Sequence, residues 1–209
     1  MRARAPRSDR PRGFDDDVAY PEALVSLFVE EFTRPGDLVF DPFAGFGTTL
    51  AVAEQMGRNV LGLELLPERV DFVRRRLHNP AAILEGDALR LVELDLPVID
   101  FVMTSPPYMN RVNHPENPLT GYRTLDGNYE RYLTQVGDVF RTLRQRLRVG
   151  GTVVVNVANI DTTPVTTLAW DVGAELAKSL RFVREIVIDW DKMPPQLTGD
   201  YCLVFERWE

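Results

Sequence analysis

At 209 residues and 44% apolar content, the chain has enough material for one well-buried core and does not demand a second domain. A formal charge of −7 argues against indiscriminate coating of DNA, because phosphate binding is driven by lysine and arginine releasing counterions. No run approaches the roughly 20 apolar residues of a membrane-crossing helix, the opening MRARAPRSDRPRG lacks the apolar segment of a secretory signal, and the lone Cys202 forms neither a disulfide nor a metal-ligand pattern. The expectation is a cytoplasmic protein with no membrane contact and no metal.

Charge is unevenly spread. Arg2, Arg4, Arg7, Arg10 and Arg12 make residues 1–15 a basic tail expected to be disordered, leaving residues 16–209 as one domain. Tyr20-Pro21 opens a predicted helix over residues 21–32, with Leu24, Phe28 and Phe32 on one face, and Pro35-Gly36 ends it. Residues 37–41 read as a buried strand, followed by a glycine-containing turn and a helix from Thr48 to Gln55. A second strand spans 59–64, and Pro67 starts a helix that stops before Asn79-Pro80. The third strand, 82–84, ends in Glu85-Gly86-Asp87, and the fourth, 99–103, ends in Thr104-Ser105-Pro106-Pro107-Tyr108.

Residues 109–128 have no clear period and read as a long loop, either functional or disordered. A helix over 129–147 follows, then Gly150-Gly151, a fifth strand at 152–157, a helix over about 165–180, and two strands at 182–190 and 201–207. Such alternation predicts an α/β fold: a Rossmann-like seven-stranded sheet, mostly parallel with a C-terminal antiparallel hairpin and helices on both faces.

Ligands of such sheets bind at the carboxyl ends of the strands, at the topological switch point. The first strand ends in Asp41-Pro42-Phe43-Ala44-Gly45-Phe46-Gly47-Thr48-Thr49, where two glycines permit a tight turn and the next helix aims its N–H groups into the gap. Glu64 closes the second strand 19 residues after Gly45, placed to accept from both hydroxyls of a ribose, and Asp87 closes the third, placed to accept from an adenine amino group. No Gly-Lys-Ser/Thr follows the glycines, which favours a nucleoside without a pyrophosphate.

The segment DPFAGFGTT closely resembles motif I of the amino-group DNA methyltransferases, and TSPPY resembles their motif IV in its cytosine-N4 form. The resemblance covers roughly residues 20–160. It implies S-adenosylmethionine as cofactor, held by Asp41, Phe43, Gly45, Gly47, Glu64 and Asp87, with Tyr20, Pro42, Ala44, Thr48, Thr49, Leu65 and Ala88 beside them.

An exocyclic base amine is a poor nucleophile because its lone pair is delocalised into the ring. Two fixed hydrogen-bond acceptors draw the nitrogen toward tetrahedral geometry, and Ser105 with the Pro106 carbonyl can supply them. Pro106 and Pro107 stiffen the backbone, and Tyr108 offers a stacking face. Carbon-5 methylation is disfavoured, because it needs a thiolate and Cys202 sits in a predicted core strand. His78 and His114 read as solvated.

The expected activity is methylation of cytosine N4, or adenine N6, in DNA. A guanine-N2 methyltransferase acting on transfer RNA and a non-catalytic methyltransferase-like subunit are the alternatives. Arg111, Asn113, His114, Tyr122 and Arg123 of the long loop are candidate sequence readers, and a homodimer or a separate specificity partner remains open.

Overall fold

The computed structural model describes residues 20–111 and 115–209. Among the described residues five α-helices are present, α1 (Glu22–Phe32), α2 (Thr48–Gln55), α3 (Pro67–Arg76), α4 (Tyr129–Arg146) and α5 (Leu168–Leu176). The strands are β1 (Leu38–Asp41), β2 (Asn59–Glu64), β3 (Ile83–Glu85), β4 (Ile99–Thr104), β5 (Leu147–Ile160), β6 (Arg181–Val187) and β7 (Leu197–Glu206). They form one seven-stranded sheet in the order β3-β2-β1-β4-β5-β7-β6. The first five strands pair parallel, while β7 runs antiparallel between β5 and β6, so the α/β sheet expected from the alternation is the one found.

Strand periodicity explains how both faces are filled. Val39, Phe101, Met103, Val154 and Cys202 point to the side covered by α1 and α2, whereas Phe40, Val102, Val153, Val155 and Leu203 point to the side covered by α4 and α5. A third cluster joins Phe46 and Leu50 to Val70, Phe72 and Val73 of α3 and to Ile83 of β3, anchoring the turn after β1. Phe46 and Phe72 meet edge to face with ring centroids 5.5 Å apart.

Several boundaries differ from expectation for identifiable reasons. Gly150 and Gly151 do not delimit β5 but lie inside it. Gly150 adopts φ +72°, its N–H donates to the Arg207 carbonyl at 2.8 Å, and the pairing with β4 shifts register between Ile99 and Phe101, so the glycines build a bulge. β7 starts at Leu197 because β5 runs on to Ile160 and offers it a longer ladder. Helix α5 is shorter than residues 165–180, since Thr166 instead bridges to Ile160. The 109–128 loop contains a short 3-10 turn at Pro118–Thr120, capped by the Asn117 side chain. Residues 1–15 and the loop positions Asn113 and His114 lie outside the described residues.

Candidate functional site

The sheet reverses direction of winding between β1 and β4, which are parallel neighbours in the register Val39 to Phe101 and Phe40 to Val102. Their carboxyl ends therefore lie side by side, which brings the DPFAGFGTT turn and the TSPPY elbow together at one crevice. The contact is direct. The Thr104 hydroxyl donates to Asp41 Oδ1 at 2.6 Å, and the Thr49 hydroxyl donates to the Met103 carbonyl at 3.2 Å.

Asp41 is almost fully buried and also accepts from the Phe43 N–H at 3.0 Å, which folds the chain back at the start of the turn. Burial pushes its carboxyl up to about 6, against hydrogen bonds from Thr104 and the Phe43 backbone that favour the charged form. Tyr20 lies above it, with its hydroxyl 3.5 Å from Asp41 Oδ2 and hydrogen-bonded to Thr49. The Tyr20 hydroxyl is itself pushed well up, first by burial and then by the neighbouring carboxylate. Thr49 is fully buried, so it ties α2, β4 and Tyr20 together from within the protein.

Past Asp41, Pro42 and Ala44 are buried, Phe43 and Thr48 are half-buried, and Gly45 and Gly47 adopt φ +54° and +71°. Gly47 is required for two reasons: the left-handed backbone, and the 2.7 Å that would separate an added Cβ from Val73 Cγ1. Glu64, at the end of β2, accepts from the Gly45 N–H and from the Leu66 N–H, both at 2.9 Å. One carboxylate thus pins the glycine turn to the β2 end. Its pKa is raised by burial, which outweighs those hydrogen bonds and the Arg69 charge. Leu65 is half-buried next to it. Asp87, after β3, accepts from the Leu89 N–H at 2.9 Å and caps the short 3-10 segment that contains the buried Ala88.

The elbow is braced from several sides. Tyr132 of α4, fully buried, donates its hydroxyl to the Pro107 carbonyl at 2.8 Å. Pro106 is buried, and Ser105, Pro107 and Tyr108 are half-buried. The Tyr108 hydroxyl meets the Ser105 side chain and the Ala158 backbone, and burial followed by the Asp200 charge raises its pKa. Asp200 sits opposite Ala158 in the β5–β7 ladder, where it accepts from Asn156 Nδ2 at 2.8 Å and Trp190 Nε1 at 3.0 Å. Burial raises Asp200 as well. Beneath lies Cys202, buried in the α1-side core, its thiol pushed up by burial.

Hydrogen bonds join Tyr20, Asp41, Thr49 and the end of β4 to one another, and Glu64 to Gly45, whereas Asp87 and Ala88 follow the end of β3, where Asp87 bonds Leu89. Residues missed by sequence reasoning include Thr104, Tyr132, Asn156 and Asp200. Only the polar character of Asn156 and Asp200 at core positions of apolar strands signals them beforehand. His78 is exposed, 3.2 Å from Glu54, and among the described residues no group of three or more His, Cys, Asp or Glu could hold a metal ion. No helix among the described residues is long and apolar enough to cross a membrane.

The family model described as DNA methylase matches residues 9–75, which hold the glycine turn, Asp41 and Glu64. That segment, about a third of the chain, is similar to the DNA methylase family. Among curated relatives, the chain is 42% identical over 57 residues to the type II methyltransferase M.HinfI of Haemophilus influenzae, and 33% identical over 84 residues to the orphan methyltransferase M.BamHII of Bacillus amyloliquefaciens. These matches take in 27% and 39% of this chain, and 16% and 32% of the relatives, so the chain spans a third or less of their length. Among solved structures, TrmN from Thermus thermophilus superposes with TM-score 0.65 at 19% identity, over 89% of this chain and 48% of that one. The N-methyltransferase NodS from Bradyrhizobium japonicum, in complex with S-adenosyl-L-homocysteine, gives TM-score 0.65 at 14% identity, over 96% and 93%. The fold is that of the class I methyltransferases.

Proposed function

We propose that the chain transfers a methyl group from S-adenosylmethionine to an exocyclic amino group of a base in DNA, with cytosine N4 favoured over adenine N6. The observation that carries this reading is the 2.6 Å bond from Thr104 to Asp41, which joins the glycine turn and the Ser-Pro-Pro-Tyr elbow into one crevice. The DNA methylase match over residues 9–75 and the two DNA methyltransferase relatives support DNA as the substrate.

The donor set fits the cofactor. Two buried carboxyls, Asp41 and Glu64, are held above their ordinary values by burial, and among the described residues no arginine or lysine pairs with Asp41. A cationic ligand in the crevice supplies the missing charge partner. In this reading Glu64 accepts from the ribose hydroxyls, Asp87 accepts from the adenine amino group, and Asp41 faces the positively charged end. When bound, the sulfonium supplies an electrophilic methyl group. Ser105 and the Pro106 carbonyl accept hydrogen bonds from the target amine, so that its lone pair is directed at the methyl. Tyr132 occupies the Pro107 carbonyl and fixes the elbow, leaving little reorganisation for the reaction step.

The test is incubation with methyl-labelled S-adenosylmethionine and, in separate reactions, genomic DNA and bulk transfer RNA, followed by digestion to nucleosides. The expected label is in N4-methyldeoxycytidine or N6-methyldeoxyadenosine. Label confined to N2-methylguanosine of RNA would overturn the DNA reading. No label, together with no cofactor binding by calorimetry, would establish a non-catalytic subunit.

A further inference from the structure

Immediately past the elbow, the chain lines an open cleft of about 1140 Å³, bordered among the described residues by Met109, Asn110, Arg111, Asn128, Tyr129 and Glu130. That volume exceeds the usual single-ligand pocket and accommodates more than one nucleotide base. Arg111 is tied to two elements at this cleft. The Arg111 backbone N–H donates to Thr166 Oγ1 at 3.0 Å, and its guanidinium lies 5.2 Å over the Tyr129 ring and donates to Asp171 Oδ2 at 2.8 Å. Asp171 is in turn held by the hydroxyls of Tyr129, at 2.8 Å, and Thr167, at 2.9 Å.

This arrangement discriminates between two uses of an arginine. A phosphate contact depends on net positive charge, and here a carboxylate with 21% exposure neutralises the guanidinium. A base-edge contact depends on directed N–H donors. The Tyr129 ring beneath it and the Asp171 bond restrain the guanidinium, while the side chain stays 45% exposed at the cleft. A guanidinium carries five N–H donors, more than Asp171 and Tyr129 take up. The base edge that matches a planar two-donor fork is guanine O6 and N7.

Resting on the DNA reading of the site, the geometry points to Arg111 as a specificity-determining residue that reads a guanine at a fixed offset from the methylated base, with Asp171 and Tyr129 as its positioning residues. Recognition of sequence is thereby coupled to the elbow through three residues of chain, Met109 to Arg111, anchored at Thr166. The half-exposed position of Arg111 means that its replacement perturbs the cleft rather than the core.

The experiment maps every base methylated by the full chain on genomic DNA, for the wild type, Arg111→Ala and Arg111→Gln, with folding checked by thermal melts and cofactor affinity by calorimetry. The wild type should show guanine at one constant offset from the modified base. Both variants should lose that preference, with methylation of guanine-bearing sites falling about 10- to 100-fold and cofactor affinity retained. In binding measurements Asp171→Asn should steepen the salt dependence by releasing a positive charge. A guanine preference that survives Arg111→Ala would overturn the inference while leaving the DNA reading intact. So would a uniform loss across sequences with the salt slope reduced by about 1, which marks a phosphate contact. If the wild type methylates no DNA base, the inference falls together with the reading on which it rests.

Discussion

Replacing Asp41 with asparagine separates what the crevice does for stability from what it does for binding. Its carboxyl lies at about 6 rather than 3.8, and burial is the largest cause. At about 1.4 kcal/mol for each tenfold change, the folded protein at pH 8 carries up to about 3 kcal/mol of disfavoured ionisation at this one position. Asparagine keeps a carbonyl oxygen for Phe43 and Thr104 but loses the charge, so a net gain of about 1 to 3 kcal/mol is expected for the ligand-free protein. The sign follows from proton binding. A raised carboxyl pKa means that the folded state holds the proton more tightly, so the wild type loses stability relative to the variant as pH rises from about 4 to about 6, and the difference then stays constant. Urea unfolding at pH 4, 6 and 8 measures it. S-adenosylmethionine affinity should move the opposite way. The variant should bind at least tenfold more weakly at pH 8, and the wild type should weaken as pH falls below about 6. A variant no more stable than the wild type at pH 8, or one that binds the cofactor equally well, would refute the reasoning.

Other substitutions probe the remaining parts. Ser105→Ala should lower kcat about tenfold to a hundredfold while leaving cofactor affinity near normal, and an unchanged single-turnover rate would remove Ser105 from its proposed role. Tyr132→Phe deletes the brace on the Pro107 carbonyl, with an expected loss of about 1 kcal/mol in stability and a fall in kcat without change in cofactor binding. Gly47→Ala must adopt φ +71° and place a methyl against Val73, so unfolding measurements should show at least 2 kcal/mol of destabilisation, about 1 to 2 from the backbone and 1 to 3 from overpacking.

Much of the architecture was legible because each element carries its own local signal. The apolar runs at 38–41 and 99–104 alternate onto two cores, Pro67 opens α3, and Pro80 follows its end, each a local steric effect. The glycine turn and the elbow were legible because their chemistry is written in contiguous residues. What escaped reading is assembled across the chain. Thr104 looks like an ordinary strand end until β1 brings Asp41 beside it, and Tyr132 looks like one more apolar position of α4 until its hydroxyl finds Pro107. Asp171 similarly gains meaning only when Arg111, 60 residues away, reaches it. Gly150-Gly151 misled because a glycine pair marks a strand end and a bulge equally well, and only the neighbouring β7 decides between them.

A structure of the protein with S-adenosylhomocysteine tests most directly whether glycine turn and elbow serve one reaction. The account predicts the ribose on Glu64 and the sulfur turned toward Ser105 and Pro106, across a gap that a methyl group and an amine nitrogen fill. A nucleoside seated away from Glu64, or a sulfur facing away from the elbow, would contradict it.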